Sequence, residues 1–555
     1  MKRKVIPVLI GLLLIVLILA GAAGVFLFQR YSGSKEEADL NAYFGLNGSQ
    51  EVAIVWNQEL TEEKGLLQDE RCYLKLDTVH EMLNERFYVD HNEKLLLYTL
   101  PEETVQIGIG EQTADGYTAA VEQNGDVWLA LDYVKQYSDF NYTLYTEPNR
   151  VVLTTNWDTL QSAELKKNTA LRVRGGVKSE ILQNLEKGTK VTVLEEMENW
   201  DQVQTQDGYI GYVQKKHLTD PAEETPVKDT GYVEPDYTGN LRDHKIDLAW
   251  HQVTVESANS TFPGVMSGVT GVNVISPTWY SLYDNTGVVD GIASPSYVQQ
   301  AHALGLEVWA LIDDFTHRED NGVDPQEILS YTSKRTAIIE VLMSEADRCG
   351  FDGINVDFEK VTEDGSQDYI QFIRELSVAC RQKGLVLSVD NYVPHNYNAH
   401  YKWAEQGVMA DYVIIMGYDE HYNGGAPGSV ASLGYVRDGI ENTLKLVPRE
   451  KVILGVPFYT RVWTETDEGV KSSALGIEEA KAWIEANQVD LYWQKELGQY
   501  YGELPLENGI KMVWMEDEES LKLKMNLARE NDLAGVACWK LGLEDEEAWT
   551  AIGWD

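Results

Sequence analysis

From residue 244 onward, short apolar runs alternate with helical patterns, and this rhythm restricts the fold more than any other feature. Eight strand candidates begin near Ile246 (IDLAWHQV), Gly271 (GVNVIS), Leu306 (LEVWALI), Asp352 (DGINVDFE), Leu385 (LVLSVDNY), Asp411 (DYVIIMGY), Lys451 (KVILGVP) and Ala534 (AGVACWKL). Patterns such as SQDYIQFIRELSVACRQKG lie between them. Strand–helix alternation marks an α/β architecture. Eight such units in about 310 residues fit a (β/α)8 TIM barrel with insertions. The widest interval, between the seventh and eighth strands, leaves room for a small α+β insertion near 460–515.

In the fourth unit, FDGINVDFEK (351–360), apolar Ile354, Val356 and Phe358 alternate with polar Asn355, Asp357 and Glu359. Period-two alternation makes a strand with two unlike faces. In a (β/α)8 barrel one face meets the helices and the other points into the barrel. The apolar residues suit the helix side. Asn355, Asp357 and Glu359 are then expected to point inward, with Glu359 nearest the C-terminal mouth. Crowded inward carboxylates are costly unless protonated or hydrogen-bonded. A neighbouring negative charge raises the pKa of a carboxyl and keeps a general acid loaded near neutral pH.

These residues resemble glycoside hydrolase family 18, the chitinase-like group, whose fourth-strand motif is DxxDxDxE. Asp352, Asn355, Asp357 and Glu359 stand at its four positions. Other landmarks recur in order: SPTWY (276–280), MGYD (416–419), GVPFYTRVW (455–463) and GVACWKLG (535–542). The resemblance covers residues 244–550. It implies that Glu359 protonates the glycosidic oxygen. Asp357 would orient the substrate's own 2-acetamido group, whose oxygen attacks the anomeric carbon. Asp352 and Asn355 would support that pair. Tyr418 would donate its hydroxyl to the acetamido oxygen, and Asp419 would line the same subsite. Trp539 would form an apolar floor beneath the sugar, with Met416 packed near it. This route needs no cofactor and no metal. Asn355 departs from the Asp of many chitinases: an amide can hydrogen-bond Asp357 but cannot store a proton. The same substitution is familiar in the branch of the family that resembles spore-cortex and peptidoglycan glucosaminidases, which favours wall glycan over chitin.

Upstream the chain reads as modules. Lys2, Arg3 and Lys4 precede an uncharged run from Ile6 to Phe28. That run is long enough to span a hydrocarbon core. Ala20-Gly21-Ala22 could mimic a cleavage site, but the apolar run continues past it, which favours an uncleaved signal anchor over 1–30. Everything after Arg30 would then lie outside the cell. YLKLDTVHEMLNERFYVDHNEKLLLYT (73–99) matches WLALDYVKQYSDFNYTLYTEPNRVVLTT (128–155). Each copy reads as strand, helix, then hairpin, so 42–156 is expected to be one duplicated α+β module. It resembles units near the N-termini of copper amine oxidases and many bacterial surface proteins, without metal ligands. Residues 161–218 resemble a bacterial SH3-like domain through LRVRGG, KGTKV, Trp200 and the closing GYIGYVQKKHL. Such domains often hold cell-wall peptides. The acid- and proline-rich stretch 219–243 reads as a linker to the barrel at 244–555.

The net charge of −43 argues against a nucleic-acid partner, because phosphate backbones repel such a surface. Cys72, Cys349, Cys380 and Cys538 show no CxxC spacing and read as buried thiols. His395, His400 and His421 lack metal-ligand spacing. The leading reading is a membrane-anchored, extracellular hydrolase of β-1,4-linked N-acetylglucosamine-containing glycan. The alternative is a non-catalytic glycan-binding scaffold on the same barrel. Retention of Glu359 and Asp357 favours the enzyme.

Overall fold

The computed structural model describes residues 5–554, so Lys2, Arg3 and Lys4 lie outside the described residues. The chain forms two compact units, residues up to 87 with 107–234, and residues 88–106 with 235 onward.

The first unit opens on the helix Val5–Tyr31. Leu9–Arg30 within it is long and apolar enough to cross a membrane, and none of it is buried against protein. Strand Arg71–Lys75 and helix Leu76–Met82 correspond to strand Asp126–Ala130 and helix Leu131–Val134. The two strands pair antiparallel inside a seven-stranded sheet. In the second copy the hairpin Asn141–Tyr145/Arg150–Thr154 joins that sheet by pairing parallel with Glu51–Trp56. In the first copy the hairpin Tyr88–Asp90/Leu95–Thr99 belongs to the other unit. A separate antiparallel sheet carries the SH3-like region, from Leu160–Glu164 to Ile210–Gln214, around buried Leu171, Val191, Val203 and Val213.

The second unit is a closed parallel barrel. Its strands, in order, are Ile246–His251, Val274–Leu282, Glu307–Asp313, Gly353–Asp357, Val386–Tyr392, Tyr412–Met416, Val452–Pro457 and Gly535–Trp539. The first strand pairs with both the second and the eighth, which closes the ring. Valine and isoleucine dominate the helix-facing positions, and Ile354, Val356 and Val389 are fully buried. The helix Ser366–Lys383 lays Ile370, Ile373, Leu376 and Cys380 against them. It ends at Gly384 (φ 70°), and the preceding helix Thr332–Cys349 ends at Gly350 (φ 79°). Glycine takes this left-handed geometry without a Cβ penalty and so sharpens each return to the next strand.

The insertion runs from Tyr459–Thr466 to Gly509–Met515 as a five-stranded antiparallel sheet packed on helix Ile477–Asn487. All four cysteines are buried free thiols. Residues 235–243 differ from the expected linker. Tyr237 is buried, and Arg242 forks onto Glu307 (2.6 and 3.0 Å). The Asn240 N–H donates to Asp411. These charged partners order a segment whose composition alone suggests none.

Candidate active site

The fourth strand delivers its polar face to the barrel interior, and neighbouring strands fix what it meets. Glu359 lies just past the strand end. Asp314, at the end of the third strand, accepts the backbone N–H of both Glu359 and Lys360, each at 2.9 Å. Those bonds fix the main chain from which the Glu359 carboxyl projects. Tyr392, at the end of the fifth strand, donates its hydroxyl to Glu359 Oε2 at 2.5 Å. Asp357 sits two residues deeper and is 6% exposed. Its Oδ1 is buried with no hydrogen-bond partner.

Deeper still, Asn355 is fully buried. Its Oδ1 accepts from Trp250 Nε1 (2.9 Å) and Ser276 Oγ (3.0 Å). Its Nδ2 donates to Ser388 Oγ (3.0 Å) and to Asp390 Oδ1 (2.7 Å). Burial lifts the Asp357 carboxyl well above the ordinary range, and the charges of Asp390 and Glu359 push the same way. Burial raises Asp390 to about 8, against the pull of the Asn355 amide. Burial likewise raises Asp314 to about 7, although two backbone N–H groups favour its charged form. Desolvation penalises the charged carboxyl, so an interior of acids without cations retains protons.

Above this layer a cavity of about 390 Å³ opens. Asp357, Glu359, Tyr392, Met416, Tyr418, Asp419, Trp279 and Trp539 line it. Tyr418 is 7% exposed, and burial holds its phenol well above the usual range, so it is a neutral donor at any working pH. Asp419 is held by the Tyr459 hydroxyl at 2.5 Å. Trp539 meets Trp250 edge-on, with ring centroids 5.8 Å apart.

The structure thus brings Glu359, Asp357, Met416, Tyr418, Asp419 and Trp539 to one cavity, with Asn355 directly beneath. Asp352 is elsewhere. It precedes the strand at the opposite end of the barrel, where it accepts from the Val308 N–H (2.8 Å) and bonds His302 Nε2 (2.8 Å). There it ties two strand starts and a helix end together. His395, His400 and His421 make separate local contacts, with Tyr397, the Val361 carbonyl and the Ala426 carbonyl.

Sequence reasoning missed Asp390, Tyr392 and Asp314. The signal for the first two was present. In LSVDNY the polar Ser388, Asp390 and Tyr392 alternate with Leu387, Val389 and Asn391, the same period-two pattern as in the fourth strand.

Comparison with known proteins places these observations. Residues 321–544 match the family described as glycosyl hydrolases family 18, and 167–219 match the bacterial SH3 domain. Within the barrel unit, residues 321–544 thus carry the likeness to glycosyl hydrolases family 18, and the likeness to the bacterial SH3 domain precedes it. The uncharacterized glycosylase YvbX of Bacillus subtilis (strain 168) is 27% identical over 292 residues, which is 51% of this chain and 84% of that relative. The cortical fragment-lytic enzyme of the same organism is 32% identical over 236 residues, 40% of this chain; the chain spans about half that enzyme's length (53%). The solved structure of the Bacillus cereus spore cortex-lytic enzyme SleL shares the fold, with TM-score 0.50 and 19% identity over 61% of this chain and 78% of that one.

Proposed function

We propose that the chain is a membrane-anchored, extracellular hydrolase that cleaves β-1,4-linked N-acetylglucosamine-containing glycan with retention and with assistance from the substrate. One observation carries this reading. A partly exposed carboxyl (Glu359) and a buried one (Asp357) lie two residues apart on one inward strand face and line the same cavity. Glu359 delivers its proton to the glycosidic oxygen as the C1–O bond breaks. The acetamido oxygen of the same sugar attacks C1, so no enzyme nucleophile is consumed. Asp357 accepts the acetamido N–H, and Tyr418 donates to the acetamido oxygen. Water then attacks C1 and displaces the acetamido oxygen, whose bond to C1 breaks, while Glu359 takes a proton from that water, which restores the acid and the acetamido group and retains the anomeric configuration.

The similarity to cortical fragment-lytic enzymes supports bacterial wall glycan as the substrate class. The SH3 domain adds a concavity lined by Trp200, by Lys166, Lys215 and Lys216, and by Glu198, Asp201 and Asp220, which offers a mixed-charge seat for a cell-wall peptide. The helix over Leu9–Arg30 supports the anchor.

The test uses the full chain in detergent. Wall glycan and N-acetylglucosamine oligomers are incubated with it and the new reducing ends identified by mass spectrometry. Cleavage is expected only where the sugar on the non-reducing side of the cut carries an N-acetyl group. Efficient cleavage at a de-N-acetylated sugar would remove the substrate-assisted step. Binding without cleavage of any glycan would favour a non-catalytic scaffold.

A further inference from the structure

Asn355 cannot turn over. Two donors, the Trp250 indole N–H and the Ser276 hydroxyl, hold its carbonyl end. Its amide end therefore has to face acceptors, and it finds Asp390 at 2.7 Å. Every member of this network is buried: Trp250 1% exposed, Asp390 2%, and Ser276, Asn355 and Ser388 fully enclosed.

The strand register supplies the next step. The fourth and fifth strands pair parallel, with Asn355 opposite Ser388 and Val356 opposite Val389. Continuing that register sets Asp390 level with Asp357 on the neighbouring strand, both on the inward face. Neighbouring strands lie about 4.8 Å apart. Two buried carboxyls at that spacing cannot both ionise cheaply. The groups that act on Asp390 are the carboxyl of Glu359, the Asn355 amide and the Trp250 indole, with Asp357, Tyr418 and Tyr369 responding to its charge. None of these is a cation.

We propose that Asp390 supplies from the fifth strand the carboxyl that this motif usually carries at position 355, and that Asp390 and Asp357 share a single proton between them. The amide at 355 removes one carboxyl from the interior, and Asp390 returns it one strand away. Asp390 is a positioning residue that acts through Asp357. The inference rests on the catalytic reading above. Its proton count balances: the pair carries one proton and one negative charge throughout, and neither carboxyl gives its proton to the sugar.

Asp390→Asn separates this role from packing, because the amide oxygen it introduces still accepts from Asn355 while the titration is gone. The neutral amide imitates the protonated acid. We expect kcat/KM near pH 6 to stay within about ten-fold of wild type, while the alkaline limb moves up by at least about one pH unit. The double change Asn355→Asp/Asp390→Asn returns the carboxyl to the motif position and should bring the limb back. A second readout needs no substrate. A carboxyl whose folded pKa is raised favours folding only while protonated, so its contribution is lost as pH rises from about 4, where the unfolded group ionises, to about 8. The melting temperature of wild type should fall more steeply over that window than that of Asp390→Asn. An unshifted alkaline limb together with parallel melting profiles would overturn the proposal. Parallel melting profiles count against it even if no glycan is cleaved, whereas absence of cleavage with diverging profiles sinks only the catalytic reading. If Asp390→Asn does not fold, the double variant decides: a wild-type limb supports the proposal, and a shifted one overturns it.

Discussion

Two sets of buried carboxylates occupy the barrel unit and are treated in opposite ways. In the helix layer Glu375 meets Arg335 through a two-pronged contact (2.9 and 3.0 Å), and Glu405 meets Arg374 at 2.8 Å. Arg335 is fully enclosed and spends its remaining donors on the Leu329 carbonyl, Thr332 Oγ1 and the Tyr88 hydroxyl. In the barrel interior Asp357, Asp390 and Asp314 sit as deeply, but Asp390 and Asp314 have amide or backbone N–H partners, and one oxygen of Asp357 has none. Pairing with a guanidinium keeps a buried acid ionised and inert. Withholding the cation leaves the acid poised to hold or release a proton. The first arrangement fixes the fold and the second performs chemistry.

The sharpest way to break this contrast is to disturb the barrel mouth and the helix layer in turn. Glu359→Gln keeps shape and removes the transferable proton. General-acid contributions are typically about 10²–10⁴-fold. Turnover should fall by that order, with the melting temperature unchanged and glycan affinity retained by equilibrium binding. Activity at the wild-type level would remove the site assignment.

Next in size comes the helix layer. Arg335→Met strands Glu375 as an unpaired buried charge. Breaking one partner of such a pair costs about 3–5 kcal/mol. Denaturant unfolding should show this loss, while kcat of the protein that remains folded stays near wild type. Arg335→Met/Glu375→Leu should recover most of the loss, because an apolar replacement of both partners is often neutral. If the double variant is no more stable than the single one, the ion pair is not what the helix layer needs.

A smaller effect belongs to Tyr392. Tyr392→Phe deletes the hydroxyl that donates to Glu359 Oε2. A hydrogen bond to a charged group is worth about 1.5–3 kcal/mol, so kcat/KM should drop by roughly ten- to a hundred-fold, with stability little changed. An unaltered rate would mean that this bond does not persist when substrate is bound.

The barrel and its mouth were legible because both are written in local periodicity. Eight apolar runs gave eight strands, and the alternation around Asp357 placed the acids inward. Met416, Tyr418, Asp419 and Trp539 rested on motif position, and they line the cavity with Glu359. Asp390 was equally legible in period, but LVLSVDNY was read only for its apolar content. Asp314 was hidden because its contact with Glu359 spans 45 positions and follows no repeat. Asp352 was misleading for a related reason: its motif places it in sequence beside the site, but five residues of strand carry it to the other end of the barrel. The first hairpin of the repeat was not legible at all. Its pattern equals that of the second hairpin, and only tertiary contacts reveal that it serves a different sheet.

That hairpin provides the smallest expected effect and refines what the helix-layer acids do. Asp90 is fully buried. Its Oδ1 accepts the N–H of Asn92 (2.9 Å) and Glu93 (2.8 Å), which shapes its own turn. Its Oδ2 accepts both the N–H and the hydroxyl of Thr332, at 2.6 and 2.7 Å. Thr332 opens the helix Thr332–Cys349, whose own N-cap residue, Tyr331, makes no side-chain cap. Asp90 therefore caps that helix from 242 positions away, and the helix dipole favours its charge there. The second copy of the repeat shows the alternative use of a hairpin turn: Asn149 donates to the carbonyls of Ser49 and Glu51 within its own module. Asp90→Asn keeps the volume but gives up the charge and turns one acceptor into a donor facing other donors. A lost N-cap costs about 0.5–2 kcal/mol, and the full chain should lose about that much in denaturant unfolding, with kcat and its pH dependence unchanged. Asn149→Ala should leave the stability of the barrel unit unaltered. Equal destabilisation of the barrel by both changes would show that the two hairpins are interchangeable and that Asp90 is no cap. A changed pH profile in Asp90→Asn would mean that helix-layer acids reach the chemistry after all.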